Sequence, residues 1–353
     1  MKKLLSTLAF LFILLTPACR PDLIAELISQ MSVRDKVAQL IVAHHYDPDI
    51  DSLVVNDHIG GVIVMVSTRA EIDTLLPRLQ AESKIPLFTC IDAEWGASMR
   101  MKEDFPRHPR AMSIGRSKNA DSLAFEIGRL TALELKSLGI AANLAPVADV
   151  NTNPNNPVIG TRSFGDNPTM VAELASRYAA GLHSEGIAAC AKHFPGHGDT
   201  SVDSHKALPV VPHDRARLDS VELLPFRRLI ADGVEMVMTA HLSVPALDST
   251  GTPASISKPV NDFLRDSLGF AGVIVTDGMN MKGVTSLFDG SDVPASVAAF
   301  EAGADLILAP VSCRAIIDAI TAKIEAGEYP VEELDKKVYR VLKLKQKLGI
   351  IQI

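Results

Sequence analysis

"IAACAKHFPGHGDTSVDSHKALP", residues 187–209, opens as an apolar run and changes within one residue to lysine and histidine. Small and branched apolar residues in an unbroken row suit a strand covered on both faces. The ionisable groups that follow have no packing duty of that kind. The same change recurs along the chain: "PLFTCI" ends at Asp92, "MVMTA" at His241 and "GVIVT" at Asp277. Taken singly, each has an ordinary explanation: a cap on the next helix, a satisfied core histidine, a lysine reaching water. Repetition at the same place in successive units argues instead for one shared site.

Eight short runs read as strands: residues 38–43, 61–66, 86–92, 140–146, 187–193, 234–241, 273–277 and 306–310. Between them lie segments of helical period, such as 120–138 with Leu123, Ile127, Leu130 and Leu138 on one stripe, and 168–184 with Val171, Leu174 and Tyr178. Alternating strands and helices call for a parallel sheet, and eight units predict closure into a single (β/α)8 TIM barrel of the α/β class. An open doubly wound sheet is the alternative. No Gly/Ser linker, low-complexity tract or internal repeat marks a second domain. The segment 331–348 carries Leu334, Val338, Val341 and Leu342 at helical spacing and is expected to pack on the barrel's outside. In a barrel the site sits at the C-terminal ends of the strands, on the following loops. The long ones are 93–116, 149–167 and 194–217, after strands three, four and five.

Composition narrows the partners. With 353 residues and 47% apolar side chains the chain can bury a large core, and 35 basic against 42 acidic residues give a net charge of −7. Without a basic run there is no electrostatic footprint for nucleic acid. Lys2 and Lys3 precede an apolar run at 4–15 and the small-residue segment Thr16-Pro17-Ala18, which reads as a signal peptide over 1–18. Cys19 then resembles the lipidated cysteine of bacterial lipoproteins, although Thr16 and Pro17 fit that pattern poorly. Lipid attachment to a membrane and cleavage without a lipid both stay open. The expected location is the periplasm or cell envelope. Cys90, Cys190 and Cys313 lie in apolar stretches and read as buried thiols.

Two chemistries compete for the strand-end residues. Metal hydrolysis would use His44 and His45 after the first strand with Lys192, His193 and His241, as in zinc amidohydrolases. Those enzymes need two inward histidines one residue apart, whereas adjacent His44 and His45 point to opposite faces, and "LILAPVSC" offers no aspartate after the eighth strand. Acetal hydrolysis needs a carboxylate nucleophile, for which Asp277 is placed, and a group that protonates the departing oxygen. Asp203-Ser204-His205 offers an imidazole beside an aspartate, able to give and retake a proton near pH ~6.5.

Five stretches now carry a resemblance: "KHFPGHGDTSVDSHKALP" (192–209), "NPVIGTRSFGDNP" (156–168), "ANLAPVADV" (142–150), "MVMTAHLSVPALD" (236–248) and "GVIVTDGMNMKGV" (272–284). They are similar to the motifs of glycoside hydrolase family 3, in its β-N-acetylglucosaminidase branch, and with "MSVRDKVAQLIV" (31–42) the likeness covers almost all of 21–350. The resemblance implies that Asp277 is the nucleophile, His205 the acid/base and Asp203 its partner. It implies sugar contacts from Asp92, Arg100, Arg162, Lys192 and His193, and neither cofactor nor metal. Gly278 stands where the family commonly has a second acid. Trp95 stands where glycine is frequent; a stacking platform and a space-filler are both open readings. Many members carry a second domain that supplies the acid/base, and the histidine loop is expected to make one unnecessary here. His197 and Asp199 are expected to shape that loop, and Gly196 and Gly198 to let it turn.

The expectation is thus an exported, retaining exo-β-N-acetylglucosaminidase (a β-N-acetylhexosaminidase) acting on terminal β-linked N-acetylglucosamine, with peptidoglycan fragments as substrate. A family 3 β-glucosidase, a phosphorylase using phosphate in place of water, a zinc amidohydrolase and a non-catalytic glycan-binding lipoprotein are the alternatives.

Overall fold

The computed structural model describes residues 22–202 and 208–353. The expectations for the signal peptide, Cys19, Asp203 and His205 concern residues outside these. Eight parallel strands are β1 (Ile41–His44), β2 (Gly61–Val64), β3 (Phe88–Ile91), β4 (Ala142–Asn143), β5 (Ala188–Phe194), β6 (Met236–Thr239), β7 (Val273–Thr276) and β8 (Ile307–Leu308). From β1 to β7 each strand pairs with the next in sequence, and β1 pairs with β8. Closure comes from a bridge between Val275 and Leu306, with the Thr276 and Leu306 N–H groups donating to Leu306 and Ile274 carbonyls at 3.1 and 3.0 Å. The chain is a single-domain (β/α)8 barrel, as the alternation predicts.

Strand alternation sorts the side chains. Ala188, Cys190, Met236, Met238, Val273 and Val275 share one core cluster with Val42, Phe88, Cys90 and Leu308 inside the barrel. Ala189, Ala191, Val237 and Ile274, one residue off, pack outward with Ile127, Leu174, Leu182 and Phe226 of the surrounding helices. Among the described residues Cys90, Cys190 and Cys313 are buried free thiols. Among the described residues no helix is long and apolar enough to cross a membrane.

Three local readings need correction. The first strand starts at Ile41 because Val33–Ala38 is a helix, whose Ser32 cap accepts the Asp35 N–H. The fourth and eighth strands are two residues each; at β4 the buried Asn143 amide bonds both backbone groups of Ala93, at 3.0 Å each, in place of further ladder. The buried face of helix Ala120–Ser137 is Ala124, Ile127, Gly128, Thr131, Ala132 and Leu135, with Leu123 and Leu130 only half-buried. Small residues win that face because helix Pro168–Ser184 approaches so closely that a Cβ at Gly128 would lie 2.2 Å from the Tyr178 carbonyl oxygen. In that second helix Val171, Leu174 and Tyr178 are all buried, as expected. Helix Val331–Lys347 buries Leu334, Val338, Val341 and Leu342 against the barrel.

Candidate active site

A cavity of about 440 Å³ opens at the C-terminal ends of the strands. Its floor continues the barrel interior, since His44, Ile63, Asp92, Lys192, Met238, Asp277 and Leu308 keep the inward parity of the layer beneath. One side holds a compact charge cluster. Lys192 is 1% exposed, and its Nζ lies 2.7 Å from Asp92 Oδ1 and 2.9 Å from Glu94 Oε1. Arg100 donates to Asp92 Oδ2 at 2.8 Å, and Arg162 grips Glu94 bidentately at 3.0 and 2.7 Å. Burial pushes both carboxyls up, but the facing cations outweigh it and hold Asp92 and Glu94 below their ordinary range. Burial likewise drives the Lys192 ammonium toward its neutral form, and the two carboxylates reverse that. The cluster is therefore fully ionised, with donors fixed in direction and with Lys192 and Glu94 shielded from water.

His193 joins the same wall, although strict alternation would turn it away from Lys192's face. The β5–β6 register shifts between Ala191 and Phe194, and this irregularity brings both residues to the cavity. Its Nδ1 lies 2.7 Å from Asp149 Oδ2, and Arg162 Nη2 is 3.2 Å from its Nε2. The ring is thus fixed between a carboxylate at Nδ1 and a guanidinium at Nε2. Asp149 is fully buried and also accepts the backbone N–H groups of His193 and His197, at 3.3 and 2.6 Å. Burial raises its carboxyl and these contacts lower it further, leaving it depressed.

Asp277 lies at the end of β7 on the other side of the cavity. Its backbone N–H donates to Thr239 O at 2.9 Å, continuing the ladder, and its Oδ1 accepts the Gly278 N–H at 2.8 Å. Burial pushes the carboxyl up, but the imidazoles of His241 and His193, the Gly278 N–H and Lys192 outweigh it, so Asp277 stays a carboxylate at neutral pH. His241 is fully buried; its Nε2 donates to Gly278 O at 2.9 Å and its Nδ1 lies 2.7 Å from Ser255 Oγ. Its part is to hold the backbone beside Asp277.

The adjacent histidines separate as alternation predicts. His44 lines the cavity, with Asn280 Nδ2 at 3.4 Å from its Nε2, whereas His45 faces a neighbouring groove and accepts the Met65 N–H at 3.2 Å. Trp95 lines the mouth, and Arg110 lies over its ring at 4.4 Å. Glu134 ties that loop down, accepting the Ala97 N–H and facing His108 Nε2, both at 2.8 Å. In the loop after β5, Gly196 has φ +132°, and a Cβ on Gly198 would meet Val150 O at 1.8 Å. Asp199 pairs with His213 and accepts from Thr152 Oγ1 at 2.9 Å, and His197 Nδ1 lies 2.6 Å from Thr200 Oγ1. Asp199 thus ties the chain before residue 203 to His213 beyond residue 207, and His197 braces the near side alone.

The structure brings together Asp92, Arg100, Arg162, Lys192, His193 and Asp277 around one cavity, from loops far apart in sequence. Glu94 and Asp149 belong with them and were not singled out by sequence reading. Glu94 had a signal, being two residues beyond Asp92 and so on the same face; Asp149 had none beyond its long loop.

The sequence profile of the glycosyl hydrolase family 3 N-terminal domain matches residues 32–344. The chain belongs to glycoside hydrolase family 3. Among its family 3 relatives, it is 38% identical to "Beta-hexosaminidase A" of Pseudoalteromonas piscicida, over 85% of this chain and 55% of that protein. It is 34% identical to "Beta-hexosaminidase LpqI" of Mycobacterium tuberculosis, over 89% of this chain and 83% of that protein. The family 3 β-N-acetylglucosaminidase from Paenibacillus sp. superposes with a TM-score of 0.86 at 38% identity, covering 92% of this chain and 65% of that one. The chain thus spans about half the length of the Pseudoalteromonas relative and two thirds of the Paenibacillus one.

Proposed function

We propose that this family 3 barrel is an exo-acting, retaining β-N-acetylglucosaminidase, with Asp277 as nucleophile and the Asp203–His205 pair as acid/base. One observation carries the reading: the Asp277 carboxylate, held ionised, faces a cluster of fixed cations and carboxylates across a cavity floored by the packed barrel interior. A pocket closed at one end takes a chain terminus rather than a chain interior. Asp92, Lys192, Arg100 and Arg162, with His193, present donors and bidentate acceptors suited to the hydroxyls of one sugar ring. Ile63, Met65, Met238 and Met281 supply the apolar wall that an acetamido methyl requires.

In the first step an Asp277 oxygen attacks C1 as the bond from C1 to the departing oxygen breaks, and the His205 imidazolium gives that oxygen its proton. In the second, His205 takes a proton from water, the water oxygen attacks C1, and the ester bond to Asp277 breaks. Two inversions give retention. Asp203 sets the tautomer and basicity of His205. Glu94 and Asp149 touch no reacting atom in this scheme; they position Lys192, Arg162 and His193. The natural substrates are peptidoglycan fragments bearing terminal β-linked N-acetylglucosamine. The charged, apolar and small-residue order of residues 1–18 supports export to the cell envelope, and Cys19 a lipid anchor there.

The test compares release of p-nitrophenol from the β-N-acetylglucosaminide and the β-glucoside. Preference for the first is expected, with loss of at least ~10³-fold in Asp277→Ala at unchanged thermal midpoint. Wild-type rates in Asp277→Ala refute the nucleophile, and preference for the glucoside refutes the substrate.

A further inference from the structure

The mouth of the cavity has a second aromatic residue whose place in the proposed reaction is still open. Tyr46 follows β1 in a turn held by the backbone bonds His45 N to Ile63 O and Asp47 N to His44 O, both 3.0 Å. It is 58% exposed, yet its ring lies parallel to His44, with centroids 4.7 Å apart and planes 14° from each other. One ring face is therefore pinned and the side chain pre-organised. Trp95, across the mouth, already has Arg110 over its ring.

Tyr46 lines two spaces at once: the cavity around Asp277 and a shallow groove outside it that runs along helix Arg69–Glu82. The groove has an apolar floor of Val66, Ala70 and Leu75, with Val66 73% exposed, and a polar edge of Ser67 and Thr74. Its charged groups are already committed. Glu71 accepts from Ser67 Oγ at 2.7 Å and the Thr68 N–H at 2.9 Å, and Arg78 pairs with Asp51 and Glu82 at 2.8 and 3.4 Å. Burial lowers the pKa of His45, which stays neutral and accepts from Met65. A neutral ligand with an apolar face and hydroxyl edges fits this surface better than an anionic one.

We infer that Tyr46, backed by His44, is the platform on which the sugar ring of the leaving group stacks, and that the groove beside helix Arg69–Glu82 takes the glycan beyond it. The chain from Asp277 is short: Asn280, on the loop after Asp277, meets His44, which stacks on Tyr46. A ring leaving C1 on this side meets an aromatic face at once. The platform makes Tyr46 a specificity-determining residue, favouring glycosides whose aglycone is itself a neutral sugar. The inference rests on the proposed glycosidase activity.

The experiment compares two substrates with the same departing bond position: N,N′-diacetylchitobiose, whose leaving group is a sugar, and N-acetylglucosaminyl fluoride, whose leaving group is one atom. In Tyr46→Ala, kcat/KM for chitobiose should fall at least tenfold more than for the fluoride, and Tyr46→Trp should restore most of that difference. Equal losses on both substrates, or no loss on either, overturn the platform. A wild-type protein that turns over the fluoride but not chitobiose also overturns it, while one that turns over neither refutes the glycosidase reading itself and the platform with it.

Discussion

Glu94→Gln is the sharpest test of the charge cluster, because the change keeps the side chain's shape and removes only its charge. Glu94 is 5% exposed at its side chain, holds Arg162 through two bonds and Lys192 through a third. Glutamine puts an NH2 group where one of those donors needs an acceptor, so at least one buried cation loses a partner. Breaking a buried pair in this way costs about 3–5 kcal/mol. The lower end applies here, since Lys192 keeps Asp92 at 2.7 Å. For the roughly 330 described residues the unfolding entropy is about 0.7 kcal/mol/K, so a loss of about 3 kcal/mol lowers the thermal midpoint by about 4 °C. The pH dependence carries a sign as well. Glu94's carboxyl is depressed in the folded state, so its contribution is present above the unfolded value near ~4.3 and fades as pH falls through the lower folded value. Scanning calorimetry of both proteins at pH 7, 5.5 and 4.5 should give an undiminished difference, with kcat/KM down at least ~10-fold at pH 7 as Arg162 and Lys192 lose their fixed direction. A midpoint within 1 °C of wild type at pH 7 would sink the claim that these charges are buried, ionised and mutually dependent.

Lys345, fully buried with Nζ 2.8 Å from Gln39 Oε1, has its pKa brought down by burial to about 7. The unfolded chain then binds the extra proton between pH ~7 and ~10.4, so stability rises with pH across that window; Lys345→Met should flatten the rise and add on the order of 3 kcal/mol at pH 6, read by denaturant titration at pH 6 and 10. Gly198→Ala puts a Cβ 1.8 Å from Val150 O, so the backbone beside Asp199 must move; activity on the chromogenic N-acetylglucosaminide should fall at least ~10-fold, and an unchanged rate would show that this stem does not govern the loop's placement. Reaction of the wild type in phosphate buffer should yield free N-acetylglucosamine; sugar 1-phosphate as the main product would reassign the enzyme as a phosphorylase.

What could be read from the chain follows a physical rule. A strand's side chains alternate between two environments, and along β3, β5 and β7 the inward row runs Phe88-Cys90-Asp92, Ala188-Cys190-Lys192 and Val273-Val275-Asp277. Each row stays apolar within the packed layers and turns ionisable where the barrel opens, so the order of residues alone locates the mouth and three of its groups. The same rule places Glu94, which sequence reading passed over, and separates His44 from His45. It fails for His193, because a register shift in β5 breaks the alternation locally and no pattern of hydrophobicity encodes that shift. It is silent on Asp149, Glu134 and Asn143, whose partners lie on other loops or strands and carry no period. It misleads on helix Ala120–Ser137, where the leucines mark the most apolar stripe but Gly128 and its small neighbours permit the closest approach. Local periodicity therefore reports which residues face the cavity, and pairings between distant loops decide how those residues are charged and aimed. The ionisation of Asp277 belongs to the second kind: the residue announces itself at the end of β7, but what holds it a carboxylate comes from Gly278, from His241 on the loop after β6, and from Lys192 and His193 on β5.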